Sequence, residues 1–116
     1  MNVKRVAGAI GAELQAINLA DGIDAKLAAT LRLLLNEYEV LFLRDQAISA
    51  AEQKALAEVF GPLQTHPAYG TVEGFPEVMI LESTRESPSK IEVWHSDMTF
   101  RQHPPSVTVL RGITIP

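Results

Sequence analysis

The stretch Val93-Trp94-His95-Ser96-Asp97-Met98-Thr99-Phe100 decides how this chain is read. In an extended strand side chains alternate, so His95, Asp97 and Thr99 share one face while Trp94, Ser96, Met98 and Phe100 take the other. One face is polar and the other is mostly large and apolar, which makes Trp94 a packing residue. Two residues of rise put the Cα atoms of His95 and Asp97 roughly 6.5 Å apart. An imidazole nitrogen and a carboxylate oxygen can then meet on one ion at roughly 2.0–2.2 Å. The pair is two-thirds of the 2-His-1-carboxylate set that leaves open positions on Fe(II). A second histidine would have to come from elsewhere. His and carboxylate also suit a hydrolytic Zn²⁺ site, and the plainest reading is an Asp that orients a His on a surface strand. The triplet alone does not separate the three.

Upstream, Glu82 to Lys90 is a polar loop that delivers the chain to Trp94, and Glu77-Val78-Met79-Ile80-Leu81 before it reads as a strand. Pro67, Gly70, Gly74 and Pro76 break the preceding stretch into a loop that carries His66 and Tyr69. Further back, Ser49-Ala50-Ala51-Glu52 is a capping box that opens a helix stopped by Gly61-Pro62. Leu56, Val59 and Phe60 give that helix its apolar stripe. Val40-Leu41-Phe42-Leu43 is a short apolar run that suits a strand buried on both faces. Ile23, Leu27, Leu31, Leu34, Leu35 and Tyr38 recur at helical spacing behind Asp24, a capping residue, so a helix of about three to four turns is expected there. Leu14 to Leu19 suggests a short strand ended by Asp21-Gly22. Downstream, Arg101 to Pro105 is a turn that includes His103, and Ser106 to Ile113, rich in β-branched residues, reads as a strand.

With 116 residues there is room for one domain, and a chain of this size buries roughly 60–70% of its unfolded surface. Ten Lys and Arg against 14 Asp and Glu give a net charge of −4, with no basic cluster to follow a phosphate backbone, so nucleic acid is not an expected partner. The chain has no cysteine; any metal is left to His and carboxylate ligands, and a reducing, cytoplasmic setting fits. The apolar run Val6 to Ala12 is too short and Gly-rich for a membrane span, so no membrane association is expected.

Taken in order, Val40-Leu41-Phe42-Leu43-Arg44-Asp45-Gln46, Phe60-Gly61-Pro62-Leu63, His66-Pro67, Trp94-His95-Ser96-Asp97-Met98-Thr99-Phe100 and Pro104-Pro105 resemble the taurine dioxygenase-like family of Fe(II)- and 2-oxoglutarate-dependent oxygenases. The resemblance covers essentially the whole chain. It implies an α+β fold, a double-stranded β-helix or jelly roll with flanking helices, of which residues 1–116 are the N-terminal portion. It also implies iron ligation by His95 and Asp97, with 2-oxoglutarate and O2 as cosubstrates and a small-molecule acid as substrate. The reaction so implied is oxidative decarboxylation of 2-oxoglutarate coupled to hydroxylation of a substrate C–H.

The family's third ligand, a distal His, and the Arg that pairs with 2-oxoglutarate lie far downstream of the triplet, and neither is present here. The expectation is therefore an inactive fragment of an oxygenase; a non-catalytic remnant or interaction module is the alternative. Unpaired strand edges would favour a homo-oligomer. His66 and Tyr69 match positions near the substrate sulfonate, where an imidazolium and a phenol could donate to an anion. A His-Pro turn beside a half-buried Tyr is the plainer account of them. Ile91 stands where taurine enzymes carry an Asn, and losing that amide suits a more apolar substrate, so alkylsulfonates and alkyl sulfates join taurine as expected substrates.

Overall fold

A computed structural model describes residues 1–115 as two compact units, Met1–Gly61 and a second that begins at Pro62. The first unit starts with β1 (Asn2–Arg5), antiparallel to β2 (Ala12–Gln15) from Asn2 opposite Gln15 to Arg5 opposite Ala12. Gly11 enters β2 at φ 97°, a conformation that resists a side chain, and a Cβ there would sit 3.4 Å from the Phe42 ring. On its other edge β2 pairs in parallel with β3 (Leu41–Phe42). Parallel neighbours need a long crossover, and helix α1 (Ala25–Tyr38) supplies it.

Both helices start where the capping residues place them. Asp24 accepts from the Leu27 amide at 2.7 Å, so one of the unpaired first-turn donors is satisfied. Helix α2 (Ala50–Glu58) carries the full capping box: Ser49 Oγ accepts from the Glu52 amide and the Glu52 carboxylate accepts from the Ser49 amide at 2.6 Å. The stripe of α1 is realised by Leu31, 1% exposed, with Leu27, Leu34, Leu35 and Tyr38 half-buried around it. With Ala12, Leu14, Leu19, Ile48 and Leu56, Leu31 makes up the buried apolar core, and all six residues belong to the first unit.

Gln46 holds the loops of that unit together. Its Oε1 accepts from the Leu19 amide at 2.8 Å, while Nε2 donates to the Ile17 and Arg44 carbonyls at 3.0 and 2.8 Å. Backbone groups with no helix or strand partner are thereby paired. Close by, Arg44 Nε lies 3.1 Å from the Glu13 carboxylate, which also accepts from Gln15. The Gln15 hydrogen bond, then Arg44, hold the Glu13 carboxyl below the usual carboxylate range.

The second unit contains one hairpin, β4 (Thr71–Val72) and β5 (Phe75–Met79), turned by Glu73-Gly74 with Gly74 at φ 80°. Among the described residues it has no fully buried side chain.

Several expectations change. Residues 40–43 are not a strand buried on both faces: only Leu41–Phe42 pair, and Phe42 remains 39% exposed, because this edge strand meets one neighbour. The strand expected over 77–81 sits earlier, at Phe75–Met79, since the tight turn at Gly74 fixes where pairing begins. Residues 106–113 form no strand, having no ladder partner among the described residues. The mixed α and β content agrees with the expected class; the two small sheets do not by themselves close a barrel. No described helix is long and apolar enough to cross a membrane.

Two outcomes follow from the first unit. Ser49→Ala should lower stability by about 1 kcal/mol, read as a lower urea midpoint with an unchanged denaturant slope. Because the Glu13 carboxyl is depressed, its contribution is complete above the unfolded value near 4.5 and fades as pH falls through the folded value. Glu13→Gln should therefore flatten the acid side of the stability profile, and thermal melts between neutral and acid pH check it.

Candidate metal centre

Residues 93–100 do not form the expected strand. They run irregularly to Ser96 and turn over residues 97–100, where Met98 adopts a left-handed φ of 52° and the Arg101 amide donates to the Met98 carbonyl at 3.1 Å. A left-handed residue reverses the path that an alternating strand needs, and no described neighbour offers residues 93–100 a ladder to keep them extended. Trp94 is accordingly not packed in a core but is fully exposed.

His95 and Asp97 nevertheless converge. His95 Nε2 lies 3.2 Å from Asp97 Oδ1, with both side chains about half exposed. His95 Nδ1 is 2.8 Å from the Val93 carbonyl, and since a carbonyl only accepts, Nδ1 carries a proton and donates it. That leaves Nε2 as the nitrogen facing Asp97, either protonated toward the carboxylate or free to bind a cation in place of that proton. The Val93 hydrogen bond, followed by the Asp97 charge, raises the His95 pKa above its usual value. Asp97 Oδ2 in turn accepts from Thr108 Oγ1 at 2.8 Å.

A divalent cation fits this donor set. Two ligands about 2.1 Å from one ion and at right angles stand roughly 3.0 Å apart, close to the observed Nε2 to Oδ1 separation of 3.2 Å. An imidazole with its far nitrogen on a carbonyl and a carboxylate held by a hydroxyl are the usual supports of such ligands. Among the described residues no third His, Asp or Glu completes a cluster.

His66 and Tyr69 are also brought together, with ring centroids 4.7 Å apart, and Phe100 meets the His66 ring edge-on at 5.6 Å. Phe100 follows Asp97 by three residues, which ties this aromatic group to the turn that carries Asp97. His66 Nδ1 accepts from the Ala68 amide at 3.0 Å, which leaves Nε2 as the side of the ring that can donate outward. Ile91 is exposed and lines a shallow groove with Glu92, Val93, Trp94 and His95.

Three contributors escaped the sequence reading. Arg101 Nη2 donates to the Thr65 carbonyl at 2.6 Å and Gln64 Nε2 to the His103 carbonyl at 3.0 Å, together bracing the His66 segment against residues 101–103. Thr108 is the third. The only hint for it was a hydroxyl among the aliphatic residues of Val107-Thr108-Val109-Leu110.

Comparison with known proteins bears on this geometry. The chain is 32% identical over its whole length to an alkylsulfatase of Acinetobacter baylyi and 28% identical to an alpha-ketoglutarate-dependent sulfate ester dioxygenase of Pseudomonas putida. It covers 36% and 38% of those two proteins, so it spans about a third of the length of the relatives it matches. A crystal structure of a taurine dioxygenase from Burkholderia xenovorans superimposes on 65% of this chain and 27% of its own, with a TM-score of 0.58 at 34% identity. Residues 2–116 match the family described as taurine catabolism dioxygenase TauD, TfdA, and the chain belongs to that family.

Proposed function

We propose that this chain contributes the N-terminal portion of a jelly-roll oxygenase that uses Fe(II), 2-oxoglutarate and O2 to hydroxylate a small sulfate ester or sulfonate. The observation that carries the reading is the approach of His95 Nε2 to Asp97 Oδ1 at 3.2 Å, with Nδ1 committed to the Val93 carbonyl. Family membership supports iron as the occupant rather than a hydrolytic Zn²⁺. His95 and Asp97 would hold the metal as ligands, not as acid and base. Bound there with 2-oxoglutarate and O2, iron supplies the oxidising power to place a hydroxyl on a substrate carbon, 2-oxoglutarate leaving as succinate and CO2.

The chain's own residues supply orientation. His66 Nε2–H and the Tyr69 hydroxyl are two donors on one aromatic group, suited to two oxygens of a sulfate or sulfonate head. Ile91, in the groove that runs to His95, offers the rest of the substrate an apolar contact and no hydrogen bond. That chemistry favours an alkyl chain over the amine of taurine, in keeping with the sulfate-ester activities that the two curated relatives' names carry. On an alkyl sulfate, a hydroxyl on the carbon that bears the ester oxygen gives a hemiacetal sulfate. This expels sulfate and a proton and leaves an aldehyde.

The test uses the complete protein with medium-chain alkyl sulfates, alkylsulfonates and taurine in competition, following succinate and sulfate. Alkyl substrates should be consumed ahead of taurine, and His95→Ala or Asp97→Ala should abolish turnover; preference for taurine, or activity that survives either ligand change, would defeat the reading. Ile91→Asn restores an amide in the groove and should improve kcat/KM for taurine relative to an alkyl sulfate by about three- to tenfold, the value of one hydrogen bond.

A further inference from the structure

We propose that Thr108 is a positioning residue for Asp97, holding one carboxylate oxygen so that the other is fixed toward His95 Nε2 and the metal. This rests on the metal-centre reading above and extends it to a residue eleven positions beyond the ligand. The two oxygens of Asp97 have different partners: Oδ2 accepts from Thr108 Oγ1 at 2.8 Å and Oδ1 faces His95 Nε2 at 3.2 Å. A carboxylate only accepts, so the Thr108 hydroxyl donates its proton to Oδ2.

The need for such a hold follows from the backbone. An Asp carboxylate turns about its last torsion in a broad, roughly two-fold well, so nothing in the side chain itself distinguishes its two oxygens. In a strand, ladder hydrogen bonds and packed neighbours would restrain Asp97. Here it begins a turn with a left-handed residue next to it and a side chain about half exposed. The Thr108 hydroxyl supplies the missing restraint. His95 is oriented in a parallel way by the Val93 carbonyl, so each ligand has one fixed far side and one free near side.

The reach of the contact also points to a specific role. Thr108 is flanked by Val107, Val109 and Leu110, whose side chains cannot donate a hydrogen bond, so its hydroxyl is the donor of that run. Hydrogen-bond partners of metal ligands typically contribute 10–100-fold to metal affinity.

Mn(II) binding, measured by calorimetry and by loss of the free-ion magnetic resonance signal, tests this on the wild type and on Thr108→Val, Thr108→Ala and Thr108→Ser. Valine keeps the shape and removes the donor, so Mn(II) affinity should fall at least about tenfold. Alanine should fall similarly, and serine should stay within about threefold of wild type. Wild-type binding with an unchanged affinity in Thr108→Val overturns the positioning role alone. A wild type that binds no Mn(II) overturns the metal-centre reading and this inference together. Loss of the native circular dichroism spectrum in both Thr108→Val and Thr108→Ala would show that the hydroxyl serves the fold, which also overturns it. In the metal-free protein the Asp97 carboxylate carbon resonance should shift in Thr108→Val and return in Thr108→Ser, a readout independent of turnover.

Discussion

The carbonyl of Val93 decides which nitrogen of His95 faces Asp97, and the candidate centre depends on that choice. With Nδ1–H donated to a backbone oxygen two residues earlier, the ring is held by its own chain and not by a packed core. The second unit has no fully buried side chain among the described residues to anchor a site by packing. Short-range hydrogen bonds substitute for it: Val93 to His95, Ala68 to His66 and Arg101 to the Met98 carbonyl all link residues two or three apart. A site assembled this way keeps its pairwise geometry without belonging to a regular element.

That local character explains what could be read from the sequence. Asp24, Ser49 and Glu52 satisfy amides within one turn of themselves, so the type and position of those residues were enough to place both helix starts. His95 and Asp97 do come together, Nε2 lying 3.2 Å from Oδ1, although the alternation that suggested it belongs to a strand that does not form. The reason is the ladder: extension at 93–100 requires a partner distant in sequence, and alternation describes which face a strand would bury, not whether a neighbour exists to receive its amides.

Contacts with long sequence separation were the ones missed. Gln46 reaches back 27 and 29 residues to Leu19 and Ile17, Arg101 reaches back 36 to Thr65, and Gln64 reaches forward 39 to His103. An amide or guanidinium side chain that bonds to backbone leaves no periodic trace, because its partner is any free carbonyl or amide within reach. The contact between Ala68 and His66 was missed for a related reason. The sequence offers a His followed by Pro, and only the backbone turn shows the Ala68 amide aimed at Nδ1.

Ile91 stands apart from the His95–Asp97 pair. It is about half exposed, in no helix or strand, and its backbone amide is taken by the Ser89 hydroxyl at 3.3 Å, a bond that any residue except proline could make. Exposed positions outside regular elements tolerate most replacements with changes within about 0.5 kcal/mol. Divergence at this position is therefore nearly free of a folding penalty, while every change in its polarity alters the groove beside His95. The groove beside His95 can therefore change its chemistry by single steps, each one foldable, with the capped helices left intact.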